Sequence, residues 1–465
     1  MPSFANSALR LLSRVLGAPS RIEGPYAGEA TALDGNTAVA VTEAILGEAA
    51  GLGASFPADT AVLAWRAEQR RLGTNPMGKP LAGCMAEGPR GGLAAALGLS
   101  MTGTRATAFL SGPDVAGALG LLVSAAGQRL PLVAHLISRA QGGSGMPLGS
   151  GHEAYHQAAD SGCFLLFAAN VQEAVDFTLI ARRVAEQTLI PGLVAMDGEQ
   201  TALAMQDVRL PPRGLVAEFL GAPDDLIPPP TPAQALLFGD ERRRVPRRHD
   251  LDRPVLQGAL QSVAIWGLGK AAGHAYFDAH LAAALDESLS HFAKQTGRVH
   301  SCVSAYRMED ATLVLVAQGA AIETAEAAAD QVRSAHKIRV GVLGVRSLRP
   351  FPGAQILTHL GGGRRVCVLE RLDTPLAGDP PLLRELRAAL GRALEIGRYA
   401  PDSHSGYPAV READVPRLLS VVYGLGLHSG GRTGMVLQPL PPDSGIHFIS
   451  LPSGTAIPAH LDAVG

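Results

Sequence analysis

A chain of 465 residues, 47% hydrophobic and 18% charged, is too long for one ordinary core and excludes a disordered chain, leaving a soluble globular protein of two or three domains. Its formal net charge of -2 excludes a charge-driven attraction to nucleic acid or to an anionic membrane surface. No apolar run reaches the ~18–20 residues of a membrane helix, and Cys84, Cys163, Cys302 and Cys367 are scattered, with no CxxC cluster to hold zinc or an iron–sulfur centre; a reducing cytoplasm suits them.

Residues 1–30 open with MPSFANSALRLLSRVLGAPSRIEG, which has Arg10, Arg14 and Arg21 and no acid before Glu23. Its apolar part is short and broken by arginines, so a helical arm docking on a neighbour is expected rather than a cleaved targeting peptide. From residue 31 to 212, short apolar runs alternate with alanine-rich, helix-like stretches. ATAFLSG (106–112), PLVAHLIS (131–138), FLLFAA (164–169) and LVAMDG (193–198) read as buried strands, and 115–128 and 171–188 as helices between them. Such alternation predicts α/β architecture, with an open parallel sheet covered on both faces.

The pattern collapses after Pro211. Residues 213–255 carry Pro228, Pro229, Pro230 and Pro232 and then DERRRVPRRHDLDRP (240–254), and are expected as an extended, solvated connection crossing a partner surface rather than a binding patch. Residues 256–300 look wholly helical. Within them GLGKAAG (267–273) lacks the spacing of a dinucleotide fingerprint and any convincing preceding strand. ATLVLVAQGA (311–320), IRVGVLGVRSL (338–348) and RRVCVLERL (364–372) predict three strands of a second, smaller α/β domain at about 301–400. The tail, 401–465, is rich in Gly, Pro and Ser and reads as a peripheral wrap with one helical stretch near 415–423. No P-loop, HExxH or GxSxG occurs, and motifs alone leave the chemistry open.

Longer segments go further. LDGNTAVAVTEAILGEAA (33–50), MAEGPRGGLAAALGLSMTGTRATAFLSGPD (85–114), LVAHLISRA (132–140), ANVQEAVDFTLIARRVAEQTLIPGLVAMDG (169–198), YRMEDATLVLVAQGAAIETA (306–325), VGVLGVRSLRPFP (340–352) and VCVLERL (366–372) resemble, in this order, the pyruvate/2-oxoacid:ferredoxin oxidoreductases, and within them the alpha-type subunit. The resemblance implies a thiamine diphosphate pyrimidine-binding domain at 31–212 and a transketolase-C-like domain II at 301–400, joined by the proline-rich linker and the helices.

It also implies a chemistry, the oxidative decarboxylation of a 2-oxoacid. In this family a carboxylate hydrogen-bonded to the aminopyrimidine of thiamine diphosphate favours the tautomer that takes the thiazolium carbon proton, and the cofactor then acts as electron sink. Glu87, in AEGPRGG, occupies that place, where a dry helix start is expected; on its own it is equally an acid favoured by the helix dipole. Arg139, ending its strand, corresponds to an arginine that clamps the substrate carboxylate. His152 and Glu153 lie where the family carries an Asp-His pair, though a lone loop histidine is ordinarily solvated. Where the family has a substrate-touching Thr, SFPADTAVL (55–63) places Asp59, with Thr60 one position on. An acid there would repel a substrate carboxylate, and Arg90 stands where the family has small residues.

The chain has no GDG module for diphosphate and magnesium, since GDE (239–241) and GDP (378–380) lack its setting. The resemblance therefore implies a beta-type diphosphate-binding subunit, and gamma-type and ferredoxin-like iron–sulfur subunits, as partners. A second possibility is a degenerate, non-catalytic scaffold of such a complex, in which Asp59 and Arg139 pair and fill the site.

Overall fold

The computed structural model describes residues 24–142, 145, 147–248, 262–372, 374, 376–399, 406–424 and 447–449. The expected N-terminal arm up to residue 23, the end of the linker (249–255) and most of the tail lie outside these residues. Among the described residues no helix is long and apolar enough to cross a membrane.

Strand β1 (Glu29–Asp34) leads into α1 (Gly35–Leu46), whose first turn is capped by Asp34: its carboxylate accepts from Thr37 N at 3.0 Å and from the Thr37 hydroxyl at 2.7 Å. Then follow β2 (Ala49–Leu52), α2 (Asp59–Leu72), β3 (Ala82–Met85), α3 (Pro89–Met101), β4 (Ala106–Ser111), α4 (Gly112–Gly127), β5 (Val133–Ser138), α5 (Glu153–Gln157), β6 (Phe164–Phe167), α6 (Val171–Thr188) and β7 (Gly192–Asp197). A single π-helical turn, Gly198–Ala202, connects to β8 (Met205–Leu210), which pairs antiparallel with β1. Strands β6-β7-β5-β4-β2-β3 form one parallel sheet in that order.

Every residue of β4, β5, β6 and β7 is buried, as parallel strands covered on both faces must be. Phe109, Ile137, Leu166 and Val194 face α1, α2 and α6, while Leu110, Leu136 and Leu165 face α3 and α4. Charges buried at the first of these faces are paired: Arg105 grips Glu186 at 2.6 and 2.9 Å, and Glu43 accepts from Arg182 at 3.0 Å with His135 Nε2 at 2.7 Å. Burial by itself would raise the Glu43 pKa; Arg182 and His135 together outweigh it and hold the carboxyl below its usual range.

The expected extended linker is not extended. It contains α7 (Arg213–Leu220), a short hairpin of β9 (Leu226–Ile227) and β10 (Arg242–Arg243), and between these α8 (Pro232–Phe238). The proline run, which was expected to stop helices, starts one: Pro232 opens α8, where no amide hydrogen is missed, and Thr231 caps it by accepting from Gln234 N. The basic run turns inward. Arg242 is buried and donates to Glu186 O at 2.7 Å and Gln187 O at 3.1 Å, and burial lowers its pKa to about 10.

After α9 (Val263–Tyr276) and α10 (Leu281–Thr296), a second sheet forms from β11 (Val303–Tyr306), β12 (Leu313–Ala317), β13 (Val340–Val345), β15 (Arg365–Glu370), β16 (Arg417–Tyr423) and β17 (His447–Ile449), in the order β11-β13-β12-β15-β16-β17. GLGKAAG lies inside α9, not at a strand-to-helix turn. Helix α11 (Ala321–His336) follows β12; α12 (Gly353–His359) and α13 (Pro381–Tyr399) flank β15.

Two expectations fail here. The run 338–348, read as one strand, divides at Arg346: β13 stays in the second sheet, and β14 (Ser347–Arg349) pairs antiparallel with β6 as the seventh strand of the first. The stretch 415–423, expected to be helical, is β16, pairing in parallel with β15. A short apolar run does not separate helix from strand by period, and Val421, Val422 and Tyr423 suit a pleated surface.

Candidate active site

In an open parallel sheet, ligands bind beyond the carboxyl ends of the strands, where successive connections leave in opposite directions. Here β2 leads through α2 outward to β3, whereas β4 leads through α4 inward to β5. The crevice between β2 and β4 is therefore the switch point.

The loops after β2, β3, β4, β5 and β7 meet there because glycines let their backbones touch. A Cβ on Gly53 would fall 2.5 Å from Gly88 O, and one on Gly112 would fall 2.0 Å from Arg139 O, so neither position admits a side chain without displacing backbone. Asp114, in the first turn of α4, ties the β2 loop down. Its carboxylate accepts from Ser111 N at 2.8 Å, Ser55 N at 3.2 Å and the Ser55 hydroxyl at 2.6 Å. Asn36, at the start of α1, donates to Pro57 O at 2.9 Å and to the Thr60 hydroxyl at 2.5 Å. The Phe56–Pro57 peptide within this loop is cis.

Glu87 immediately precedes Gly88, the N-cap of α3, so its position at a helix start is as the sequence implied, but its setting is not dry. Glu87 is exposed, and among the described residues it makes no hydrogen bond or ion pair. The reason is topological: β3 is the edge strand of the sheet and all four of its residues are exposed.

Arg139, by contrast, is 4% exposed. It follows β5 directly, donating from Nε to Pro147 O at 2.8 Å and from Nη1 to Phe56 O at 2.9 Å, and its guanidinium lies 5.6 Å from the Phe56 ring centre. Its Nη2 is buried and has no hydrogen-bond partner among the described residues. Leaving one donor of a buried cation unmade is costly, and a carboxylate is the partner whose geometry a guanidinium matches best.

Asp59 and Arg139 form no ion pair among the described residues, nor do Asp59 and Arg90. Asp59 occupies the first turn of α2, its Oδ1 accepting from Thr60 N at 2.9 Å, where the helix dipole favours an acid. The Thr60 hydroxyl is committed to Pro57 O at 2.9 Å and to Asn36. His152, a substrate-site candidate whose alternative was a solvated loop histidine, is buried: Nε2 lies 3.0 Å from Asp197 Oδ1, and the ring meets Phe167 edge-on. Burial tends to raise the Asp197 pKa, but His152 and Arg371 outweigh it and hold the carboxyl low. Glu153 beside it is pushed up by burial.

Sequence reasoning missed Asn36, Ser55, Asp114, Asp197 and Arg371. The capping spacing of Ser111 and Asp114 was a visible signal, since an acid three residues after a serine at a strand end marks a helix start. Nothing local signalled the others.

The family model described as pyruvate flavodoxin/ferredoxin oxidoreductase, thiamine diP-bdg, matches residues 77–248, and that described as pyruvate:ferredoxin oxidoreductase core domain II matches residues 311–400. The chain is 29% identical over 342 residues to the pyruvate synthase subunit PorA of Thermotoga maritima, spanning 73% of this chain and 76% of that subunit. It is 27% identical over 336 residues to a probable pyruvate-flavodoxin oxidoreductase of Escherichia coli, spanning 72% of this chain but only 26% of that protein. Among solved structures, a 2-oxoglutarate:ferredoxin oxidoreductase from Magnetococcus marinus shares the fold, with a TM-score of 0.56 at 16% identity over 84% of this chain and 62% of that one. With both matched regions in order along one chain and on this fold, the chain belongs to the pyruvate/2-oxoacid:ferredoxin oxidoreductase family, as an alpha-type subunit.

Proposed function

We propose that this chain supplies the pyrimidine side and the substrate-carboxylate clamp of a thiamine diphosphate-dependent 2-oxoacid oxidoreductase assembled from several subunits. The observation that carries the reading is Arg139, buried at the carboxyl edge of the sheet with Nη2 unpartnered among the described residues, in a loop cluster that also holds Glu87. When bound, thiamine diphosphate supplies the carbon nucleophile and the electron sink for loss of carbon dioxide. Glu87 fits the pyrimidine end, as an exposed carboxylate at a helix start that makes no hydrogen bond or ion pair among the described residues. It would hold the proton shared with that ring.

Exposure of Glu87 in the loop after the edge strand β3 supports a site completed by another chain, a beta-type subunit bringing the diphosphate and magnesium. Electrons would leave through iron–sulfur centres on gamma-type and ferredoxin-like partners. Burial pushes the Cys163 and Cys302 thiols up to about 12 and Cys367 up to about 11, which disfavours the thiolate a cluster ligand must be and supports clusters lying elsewhere. Four free cysteines support a cytoplasmic setting. The pyrimidine-binding domain is assigned to 31–212 and domain II to 301–400, with β14 of the second region joining the first sheet and β16 and β17 extending the second sheet past residue 400. Asp59 pairs with a backbone amide and not with Arg139, which removes the contact that would close the site in a scaffold.

The test is turnover of the assembled, cofactor-loaded complex with a panel of 2-oxoacids. Glu87→Gln is expected to slow turnover by on the order of a hundredfold, and Arg139→Glu to raise KM steeply or abolish turnover. Full activity of Glu87→Gln, or no turnover of the wild type with any 2-oxoacid, would overturn the reading, the latter in favour of a scaffold.

A further inference from the structure

The loop between Arg139 and His152 runs AQGGSGMPLGSG, with five glycines in twelve residues. Glycine-rich chain loses much conformational freedom on ordering, so the loop needs anchors to hold one shape. Locally, Ala140 N donates to Gly149 O at 2.9 Å, and Arg139 Nε holds Pro147 O. The far end is anchored from both sheets. His152 N donates to Arg371 O at 3.0 Å, and Ser150 Oγ accepts from Glu199 N at 3.0 Å.

Arg371, immediately after β15, also grips the π-helical turn on which Ser150 rests. Its Nη1 donates to Gln200 Oε1 at 2.6 Å, its Nη2 donates to Glu199 Oε2 at 3.0 Å, and Nη1 lies 3.7 Å from Asp197 Oδ1. Asp197 in turn accepts from Ala320 N at 2.8 Å, at the start of α11. Arg371 is 4% exposed, so these contacts are shielded from water and salt.

We infer that Arg371 is a positioning residue: reaching across from the second sheet, it fixes residues 147–152 and, through Pro147 O, sets the direction of the Arg139 guanidinium. The inference rests on the reading of Arg139 as the substrate-carboxylate clamp. Domain II then acts on substrate affinity without touching substrate. A misdirected clamp weakens binding of the carboxylate more than it slows the chemistry at the neighbouring carbonyl.

The experiment measures KM and kcat of the assembled complex for its best 2-oxoacid, and amide hydrogen exchange of the full chain. Arg371→Met is expected to raise KM about tenfold or more with kcat changed less than about threefold. Exchange at Ala140 and His152 should quicken, while amides of β4 and β5 stay protected. Arg371→Lys keeps the charge but not the two-pronged geometry, and should fall between wild type and Arg371→Met. It carries the test if the methionine variant does not fold. Arg139→Met is measured alongside. A raised KM in Arg139→Met with neither KM nor exchange moved in the Arg371 variants overturns the inference alone. An unchanged KM in Arg139→Met overturns the clamp and, with it, the role given to Arg371.

Discussion

Glu370 sits under the first turn of α13, where its carboxylate accepts from Leu382 N at 2.7 Å and Leu383 N at 3.4 Å. Burial pushes its pKa up to about 7 from an ordinary 4.5, against the pull of those two amides. The folded chain thus keeps a proton that the unfolded chain releases at about 4.5. The stability this contributes is fully present below that value and is lost as the pH rises through about 7, a swing of at most about 3 kcal/mol. Glu370→Gln, which stays neutral, should flatten the profile, so that its urea midpoint changes less than wild type between pH 5 and pH 8. A wild-type midpoint already flat over that window would refute the raised pKa. At this scale the residue types pointed to Glu87 and Arg139 as candidates. Their surroundings were not legible, because exposure is set by neighbours: the acid expected to be dry is open, and His152, for which a solvated loop position was the alternative to a site role, is buried.

Between residues and domains, the loop after β2 shows how an element is held in place by another. Asp114 serves two ends at once, capping α4 and binding the amide and hydroxyl of Ser55. Asp114→Ala should therefore cost more than an exposed cap, about 2 kcal/mol, and should quicken exchange of the Ser55 amide. Equal protection of Ser55 in the variant would show that the loop is held otherwise. Strands β4 to β7 of the first sheet were legible from their own composition. Helix α6 falls at Val171–Thr188, where periodicity placed it, because an amphipathic run of eighteen residues between turn signals specifies one period. The elements read wrongly were short ones. Helix α8 and strand β16 owe their state to a cap and a neighbouring strand, respectively, and a run of seven residues does not choose by itself.

At the scale of the whole molecule, one strand ties the two sheets: β14 leaves the second region of the chain to pair with β6, and Arg349 at its end donates to Ala159 O at 3.1 Å and to Glu385 at 2.8 Å. The first sheet therefore takes one strand from the second region of the chain, and a polar cluster at Arg349 reinforces that link, while the edge next to Glu87 is open. Calorimetry of the chain without partners is expected to show weak binding of thiamine diphosphate, and tight binding only after assembly. Tight magnesium-dependent binding by the single chain would reveal a diphosphate site within it. The amino-acid sequence by itself determined the α/β class, most of the first sheet and the family, because buried parallel strands and long amphipathic helices are specified by residues near one another in the chain. Only the tertiary structure decided that Glu87 faces outward, that Arg139 has a donor to spare, and that Arg371 holds Glu199 and Gln200 from 172 and 171 residues away. Which donor meets which acceptor across such separations depends on how sheets pack, and no local pattern encodes it.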